Sequence, residues 1–138
     1  KIKSITRRNR GVKFEHIITE LNLKLRGRLN YFRYAKCHKP VQILDAWIRR
    51  KLRSYRSKQC KRVYTLQQFL HRQGVETWQS WILALSGKGL WRKSGCPQVH
   101  QAMGTACFKE PKLYSLALNC ETLNSLQKPP CTKVRTAM

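Results

Sequence analysis

The sequence predicts an all-α protein, and three observations support this. Apolar residues recur every three or four positions along most of the chain. β-Branched residues are scattered and never alternate over a useful length, so no strand is predicted. Glycines and prolines separate the periodic stretches. At 138 residues the chain can bury a real core. We predict five short-to-medium helices in two small lobes, with a seam near residues 61–65.

Residues 1–13 precede the first periodic stretch and are rich in arginine and lysine. We interpret them as a basic N-terminal arm, either a solvated linker or a segment lying on phosphates. The first long helix then begins at Phe14. Gly27 falls inside it, at a cost of about 1 kcal/mol relative to alanine. This predicts close approach of another helix or, as the alternative, of a nucleic-acid backbone. The apolar stripe of this helix comprises Phe14, Ile17, Ile18, Leu21, Leu25, Leu29 and Phe32.

The second helix combines an apolar stripe with a dense basic face. Pro40 fits its first turn, where a missing N–H costs nothing. Five of the eight residues from 49 to 56 are positive, and no acid occurs between Asp45 and Glu76. Like charges on one helix repel each other, and we expect phosphates to offset them, with a merely solvated basic face as the alternative. The predicted stripe comprises Leu44, Trp47, Ile48, Leu52 and Tyr55.

The second lobe is predicted from shorter patterns. Thr65 is a candidate N-cap for a short helix that ends at Gly74. The next helix carries apolar residues at positions i, i+3, i+4 and i+7 and stops at Gly87. This spacing predicts core positions for its two tryptophans, with base stacking as the alternative. The four residues are Trp78, Trp81, Ile82 and Leu85.

Residues 86–94, SGKGLWRKS, predict a loop that contacts phosphates, with Trp91 either stacked on a base or filling the lobe. The segment lacks the spacing of a P-loop, and no strand precedes it. A last helix is predicted from Pro97. We expect a disordered tail from 119 to 138, because the periodicity ends there and two prolines follow. The inward residues predicted for the last helix are Val99, Ala102, Met103, Ala106 and Cys107.

The charge predicts a polyanionic partner. Lys and Arg number 29 against 6 acids, which gives a formal charge of +23. Aromatic residues interleave with the cations, which favours nucleic acid over a flexible basic tail or a membrane surface. No apolar run is long enough to span a bilayer, so no membrane partner is expected.

The sequence offers little for catalysis or metal binding. Its six acids are isolated, whereas phosphoryl transfer needs clustered carboxylates. Its six cysteines form no CxxC pair, and we expect them to be reduced thiols. Cys96 and His100, with Cys107 and Cys120 downstream, resemble a zinc site only loosely. We predict a binding protein with no catalytic residues, no metal and no cofactor.

Several blocks of the sequence, in one order, resemble the maturase-specific region of group II intron reverse transcriptases, also called domain X or the thumb. They are SITRRNRG at 4–11, LNLKLRGRLNYFRYA at 21–35, LDAWIRRKLRSYRSKQCKR at 44–62 and SGKGLWRKSGCPQVHQAM at 86–103. The resemblance covers roughly residues 1–118. One position departs from it, because the family usually has tryptophan where this chain has Arg28.

This resemblance implies a thumb-like helical bundle that follows the fingers and palm of a polymerase. It implies a thumb-like helix pair over 14–62 and a second helical lobe over 65–118, together forming the maturase-specific domain 14–118. The polymerase carboxylates of such a protein would lie upstream, so we expect a C-terminal part that does not polymerise DNA alone. The expected location is a bacterial cytoplasm, with an organelle as the alternative.

The resemblance and the charge together predict an RNA-binding maturase module that assists folding and splicing of a group II intron. Its expected partners are the intron RNA, an RNA–DNA template–primer duplex and the upstream reverse transcriptase domains. The alternatives are a thumb subdomain that grips the duplex in an active reverse transcriptase, and a generic structural RNA binder. The predicted RNA-binding residues are Arg26, Arg28, Tyr31, Arg33, Arg49, Arg50, Lys51, Arg53, Arg56, Lys58, Lys61, Arg62, Lys88, Trp91 and Arg92.

Overall fold

A computed structural model describes residues 1–32, 38–109 and 112–126. Within these ranges the chain is all-α, with eight helices and no strand, so the predicted fold class is confirmed. The helices are α1 (Ile2–Ile5), α2 (Phe14–Phe32), α3 (His38–Gln59), α4 (Val63–Arg72), α5 (Thr77–Leu85), α6 (Leu90–Lys93), α7 (Pro97–Ala102) and α8 (Leu116–Leu126).

The two long helices supply the centre of the core. Leu21 and Leu25 of α2 and Leu52 of α3 are fully buried. The described residues of both predicted stripes therefore face inward as expected, although Phe14, Leu44 and Trp47 are only partly buried. The side chain of Phe32 lies outside what the structure describes. The close packing of these aliphatic side chains fixes the direction in which the basic faces point.

The N-terminal segment differs from the predicted arm. Residues Ile2–Ile5 form helix α1, which packs against α2. Ile2 and Ile5 belong to the core, and the Thr6 hydroxyl donates a hydrogen bond of 2.9 Å to the Ile2 carbonyl. The two isoleucines are three positions apart, so one turn of helix buries both of them. Residues 7–11 and Lys13 are exposed as an arm would be, whereas Val12 is partly buried.

Helix α8 corrects the predicted start of the C-terminal tail. The chain remains helical to Leu126, and α8 packs against both α3 and α2. Its first turn is capped from a distance by Asp45 of α3. The Asp45 carboxylate accepts hydrogen bonds from the Ser115 hydroxyl (2.9 Å) and from the backbone N–H groups of Leu116 (3.2 Å) and Ala117 (3.0 Å). A carboxylate satisfies the free N–H groups at a helix N-terminus and complements its dipole. The rest of the predicted tail, 127–138, lies outside the described residues.

The second lobe consists of α4, α5 and α7, which pack on one another. Helix α4 begins two residues before the predicted cap Thr65, and Arg62 is its N-cap residue. It ends as predicted: Gln73 is the C-cap residue, and Gly74 follows with a φ of +87°. A positive φ of this size is a backbone conformation that glycine adopts without strain. Helix α6 lies against α3 and connects the lobe to the long helices.

The predicted inward face of α5 is wrong for three of its four residues. Trp78, Ile82 and Leu85 are exposed and Trp81 is half-buried, whereas Leu83 is fully buried. The helix carries a second stripe at the same spacing, formed by Ser80, Leu83 and Ala84, and this one faces inward. Its small residues allow α4 to approach closely, and the Gln67 amide donates a 3.3 Å hydrogen bond to the Ser80 hydroxyl. Close helix packing therefore outweighs the larger apolar side chains.

The close helix approach predicted at Gly27 is wrong, because a Cβ placed there would meet no atom of the described residues within 4 Å. The alternative, close approach of a nucleic-acid backbone, stays a prediction. The residue is exposed on α2, so nothing among the described residues requires glycine at this position.

Helix α7 ends at Ala102, and Val99, Ala102 and Met103 are buried as predicted. Ala106 lies beyond the end of the helix and is exposed.

Candidate nucleic-acid interface

The end of α3 and the segment 8–15 enclose a groove of about 740 Å³, which we call the basic groove. The segment is tied to α3 by its backbone. The carbonyl oxygen of Val12 accepts hydrogen bonds from the Tyr55 hydroxyl (2.7 Å) and from the Gln59 amide (3.1 Å). Gly11 makes the turn, with a φ of +65°. These bonds hold the two walls of the groove together.

The basic groove is strongly positive. Lys58 donates a 2.8 Å hydrogen bond to the side-chain oxygen of Asn9, and the other lysines are exposed. Glu15 is the single acid among the lining residues. Cations this close together, with so little opposing charge, lower the free energy of a bound polyanion. The lining cations are Arg8, Lys13, Arg56, Lys58 and Lys61.

One nearby arginine is neutralised within the fold. Arg10 forms an ion pair of 2.7 Å with Glu20 of α2, and the same Nη1 also donates to the Ile5 carbonyl at 3.2 Å. This is the single ion pair in ranges 1–32, 38–109 and 112–126. The cations that line the groove therefore form no ion pair among the described residues, and their charge can act on a bound anion.

A second basic surface lies farther toward the start of α3, where α6 packs on it. The space here is about 610 Å³, and we call it the aromatic cleft. The Arg50 guanidinium lies 4.3 Å from the centre of the Trp91 ring and donates a 3.3 Å hydrogen bond to the Trp91 carbonyl. The lining residues are Ala46, Trp47, Arg49, Arg50, Arg53, Trp91, Gly95, His100 and Thr105.

Two further contacts fix the cations at this cleft. The Lys51 ammonium lies 4.8 Å from the centre of the Trp91 ring and 5.4 Å from that of Trp47. Such cation–π contacts stabilise a cation beside an aromatic face. Gly95 leaves room for the arginine, because a Cβ there would lie only 3.1 Å from Nη2 of Arg50. The Nε of Arg50 is buried and has no hydrogen-bond partner among the described residues.

Arg53 is not the free phosphate-binding cation that the sequence predicted. The residue is 5 % exposed, and its Nε donates a 2.9 Å hydrogen bond to the Met103 carbonyl. Burial, and to a smaller extent the nearby Arg49, lowers the pKa of Arg53 from its usual value. Its contact with Met103 joins α3 to the residues after α7, so its first role is structural.

His100 is a cleft residue that sequence reasoning assigned only to a loose metal site. Burial of part of its ring, followed by repulsion from Arg53 and Arg50, lowers the pKa of His100. The imidazole is therefore held in its neutral form near pH 7, with one donor and one acceptor nitrogen. The sequence could not show that His100 lies at the cleft, because this depends on how α7 is placed relative to α3 in the fold.

The structure gathers some of the predicted residues and disperses others. The groove brings together Arg56, Lys58 and Lys61, and the cleft brings together Arg49, Arg50 and Trp91 with Lys51 beside them. Cations on α2 line neither space, and the Arg26 guanidinium lies 5.4 Å from the Tyr114 ring centre. Arg33 lies outside the described residues. The predicted residues that are exposed elsewhere are Arg26, Arg28, Tyr31, Arg62, Lys88 and Arg92.

Several interface residues were missed by sequence reasoning. Arg8, Asn9 and Lys13 were assigned only to a basic arm, and Trp47 only to an apolar stripe. The cluster of arginines before Gly11 was the available signal. Which of them faced α3 depended on the turn at Gly11, which brings this segment to the end of a helix more than forty residues away.

The cysteines and histidines that the structure describes show no arrangement that could hold a metal ion. Among the described residues no three metal-binding side chains cluster together. Cys60 and Cys96 are free thiols. Burial raises the pKa of the Cys60 thiol, although the nearby Arg56 opposes this. No helix in the described part of the chain is long and apolar enough to cross a membrane.

Comparison with known protein families identifies the class. The family described as "Group II intron, maturase-specific domain" matches residues 1–74, which is more than half of the chain. The chain therefore belongs to the group II intron maturase-specific domain family and has a maturase-related role. The matched region is non-catalytic, and it spans α1 to α4 with the whole basic groove. A comparison with curated proteins found no match.

Proposed function

We propose that this protein binds group II intron RNA through the basic groove and the adjoining face of α3, and thereby assists folding and splicing of the intron. The observation that carries the proposal is the basic groove itself. Five cations and one acid line a single open space, and the groove falls within the part of the chain that matches the maturase family. Neutralising phosphates there releases counterions, which drives association.

The rigidity of α3 supports recognition by shape. Residues 50 and 58 are separated by about 12 Å of helix, because each residue adds about 1.5 Å. The groove and the cleft therefore keep a fixed separation along one element. Structured RNA is recognised mainly through its shape, its phosphates and its 2′-hydroxyls. A fixed pair of basic surfaces fits one backbone arrangement better than others, which favours a folded intron over an arbitrary RNA.

The test is a titration of the full chain against a group II intron RNA across a range of salt concentrations. With six to eight phosphates neutralised, the slope of log K against log[salt] is expected at roughly −4 to −7. An unrelated structured RNA of equal length is the control. A preference of about tenfold for the intron RNA corresponds to about 1.4 kcal/mol. A slope shallower than about −2 contradicts the proposal.

An RNA–DNA hybrid duplex belongs in the same titration, because a reverse transcriptase thumb would grip such a duplex. Tighter binding to the intron RNA than to the hybrid supports a maturase module. Tighter binding to the hybrid supports the thumb function instead. Equal binding to all three nucleic acids, with the same steep slope, supports a generic structural RNA binder.

A further inference from the structure

We propose that the aromatic cleft receives one unpaired nucleotide of the bound RNA, with its base against the tryptophans and its phosphate on the arginines. This inference rests on the proposed function, because it assigns a chemical specificity to part of the same RNA-binding surface. It goes beyond that function by assigning separate tasks to the two surfaces of α3. The groove binds the phosphate backbone, and the cleft selects an unpaired base.

The cleft has the size and the lining of a small-ligand site. Its volume of about 610 Å³ falls in the usual range of about 300–1,000 Å³ for such pockets. Two indole rings, Trp47 and Trp91, line it together with the methyl group of Ala46. Nucleobases stack on aromatic side chains in sites for single-stranded nucleic acid. A base inside a duplex is already stacked and cannot enter, so the cleft selects an unpaired one.

The cations of the cleft are held ready for a phosphate. Arg50 is held by its contact with the Trp91 ring, and the absence of a side chain at Gly95 leaves room for its guanidinium. Arg49 is half-exposed beside it. A guanidinium binds phosphate through two parallel hydrogen bonds, and little entropy is lost when its position is already fixed.

The basic groove lacks the features that would take up a base. Its aromatic residues are Phe14 and Tyr55, and no tryptophan lines it. The Arg56 guanidinium lies 5.9 Å from the Phe14 ring centre, and the Tyr55 hydroxyl is bonded to the Val12 carbonyl. The two basic surfaces therefore differ in kind, because two tryptophans line the cleft together with its arginines and no tryptophan lines the groove.

His100 supplies a polar group at the cleft that suits a base edge. The residue is exposed, and it lines the same space as the two tryptophans. A neutral imidazole has one donor and one acceptor nitrogen, which match the donors and acceptors of nucleobase edges. Thr105 adds a hydroxyl that can donate or accept.

The experiment compares two RNA hairpins that differ in one nucleotide. One stem is fully paired, and the other carries a single bulged 2-aminopurine, whose fluorescence falls when it stacks. We expect the full chain to bind the bulged hairpin about tenfold more tightly and to quench its fluorescence. Base–aromatic stacking is commonly worth this much. Trp91→Leu is expected to remove both the preference and the quenching.

Trp78→Leu is the matched control, because Trp78 is exposed on α5 and lines neither the groove nor the cleft. This variant is expected to retain both signals. Circular dichroism verifies that each variant folds, and Arg50→Gln is a second cleft variant that leaves both rings in place. It is expected to weaken the preference without abolishing the quenching.

The outcomes separate this inference from the proposed function. Steep salt-dependent binding of both hairpins, with equal affinity and no quenching, overturns the inference and leaves the proposed function standing. The inference is equally overturned if Trp78→Leu removes the preference as fully as Trp91→Leu does. Absence of binding to either hairpin at low salt contradicts the proposed function and this inference together.

Discussion

The basic groove and the aromatic cleft share helix α3, yet their cations are held in different ways. In the groove, Lys13, Lys58 and Lys61 are exposed, and within the described part of the chain only Lys58 of these three donates a side-chain hydrogen bond, to Asn9. In the cleft, Arg50 is fixed by Trp91, and Arg53 is bonded to the Met103 carbonyl. Exposed lysines suit a polyanion that is recognised by its charge, whereas arginines already held in place suit a ligand that is recognised by its shape.

This contrast shows that counting cations on a helix does not reveal their roles. The sequence places arginines and lysines along all of α3, and each looked equally suited to phosphate. The neighbouring elements decide the outcome. A loop with a positive-φ glycine meets the C-terminal end of the helix, whereas a tryptophan-bearing helix and the segment around Met103 meet its middle.

The largest expected effect comes from Asp45→Ala. This change removes the cap of α8, a helix that packs against both α3 and α2. The buried carboxylate holds the first turn of α8 through three hydrogen bonds. Its loss leaves two backbone N–H groups and a hydroxyl without their acceptor, and we expect a loss of about 2–4 kcal/mol in the free energy of unfolding. Urea unfolding measures this. Glu15→Gln, at an exposed site on α2, is the control and is expected to cost less than about 0.5 kcal/mol.

The next largest effect compares two arginines of the cleft, one buried and hydrogen-bonded and the other half-exposed. Arg53→Met leaves the Met103 carbonyl without its donor, and we expect a loss of about 1–3 kcal/mol in the free energy of unfolding. Arg49→Met changes a half-exposed residue on the same helix, with an expected cost of about 0.5 kcal/mol or less. Equal losses in urea unfolding would show that Arg53 has no special structural role.

The smallest effect concerns His100 and the positive field of the cleft. Partial burial, followed by repulsion from Arg53 and Arg50, lowers the pKa of His100 below its value in the unfolded chain. The unfolded chain therefore binds this proton more readily, so the contribution of His100 makes stability fall as the pH drops below about 6.5. His100→Gln is expected to remove that part of the pH dependence. An NMR titration that gives an unshifted or raised pKa contradicts this account.

The long helices could be predicted from the sequence, because the apolar stripe of α2 extends over about five turns and that of α3 over about three. Only one side of α2 or α3 offers enough aliphatic surface to form a core. The short helix α5 could not be oriented in the same way, because two stripes with the same i, i+3, i+4 spacing compete on it. One is formed by Ser80, Leu83 and Ala84, and the other by Trp78, Trp81 and Ile82. Close packing by small residues decided between them, and this depends on where α4 lies.

The candidate site was predicted in part for the same reason. The basic face of α3 follows from its periodicity. The groove and the cleft, in contrast, are made by residues distant in sequence: Val12 meets Tyr55, and Arg50 meets Trp91. Helix α8 was not predicted either, because its apolar pattern is weak and its first turn is held by Asp45, seventy positions away from Ser115.

The measurement that tests the central claim most directly compares the salt dependence of RNA binding in three proteins. They are the unchanged chain, a variant with Lys13, Lys58 and Lys61 changed to Gln, and a matched variant with Lys3, Lys24 and Lys109 changed to Gln. All six lysines are exposed, and the second set lines neither the groove nor the cleft.

Each phosphate contact that is lost reduces the slope of log K against log[salt] by about 1. We predict that the groove variant reduces the slope by about 2–3, whereas the matched variant changes it by less than about 1. Circular dichroism and urea unfolding should show that both variants fold like the unchanged chain. Equal reductions in the two variants would show that RNA binding depends on the overall net charge and not on the position of the lysines. That result would contradict a phosphate-binding groove at the end of α3.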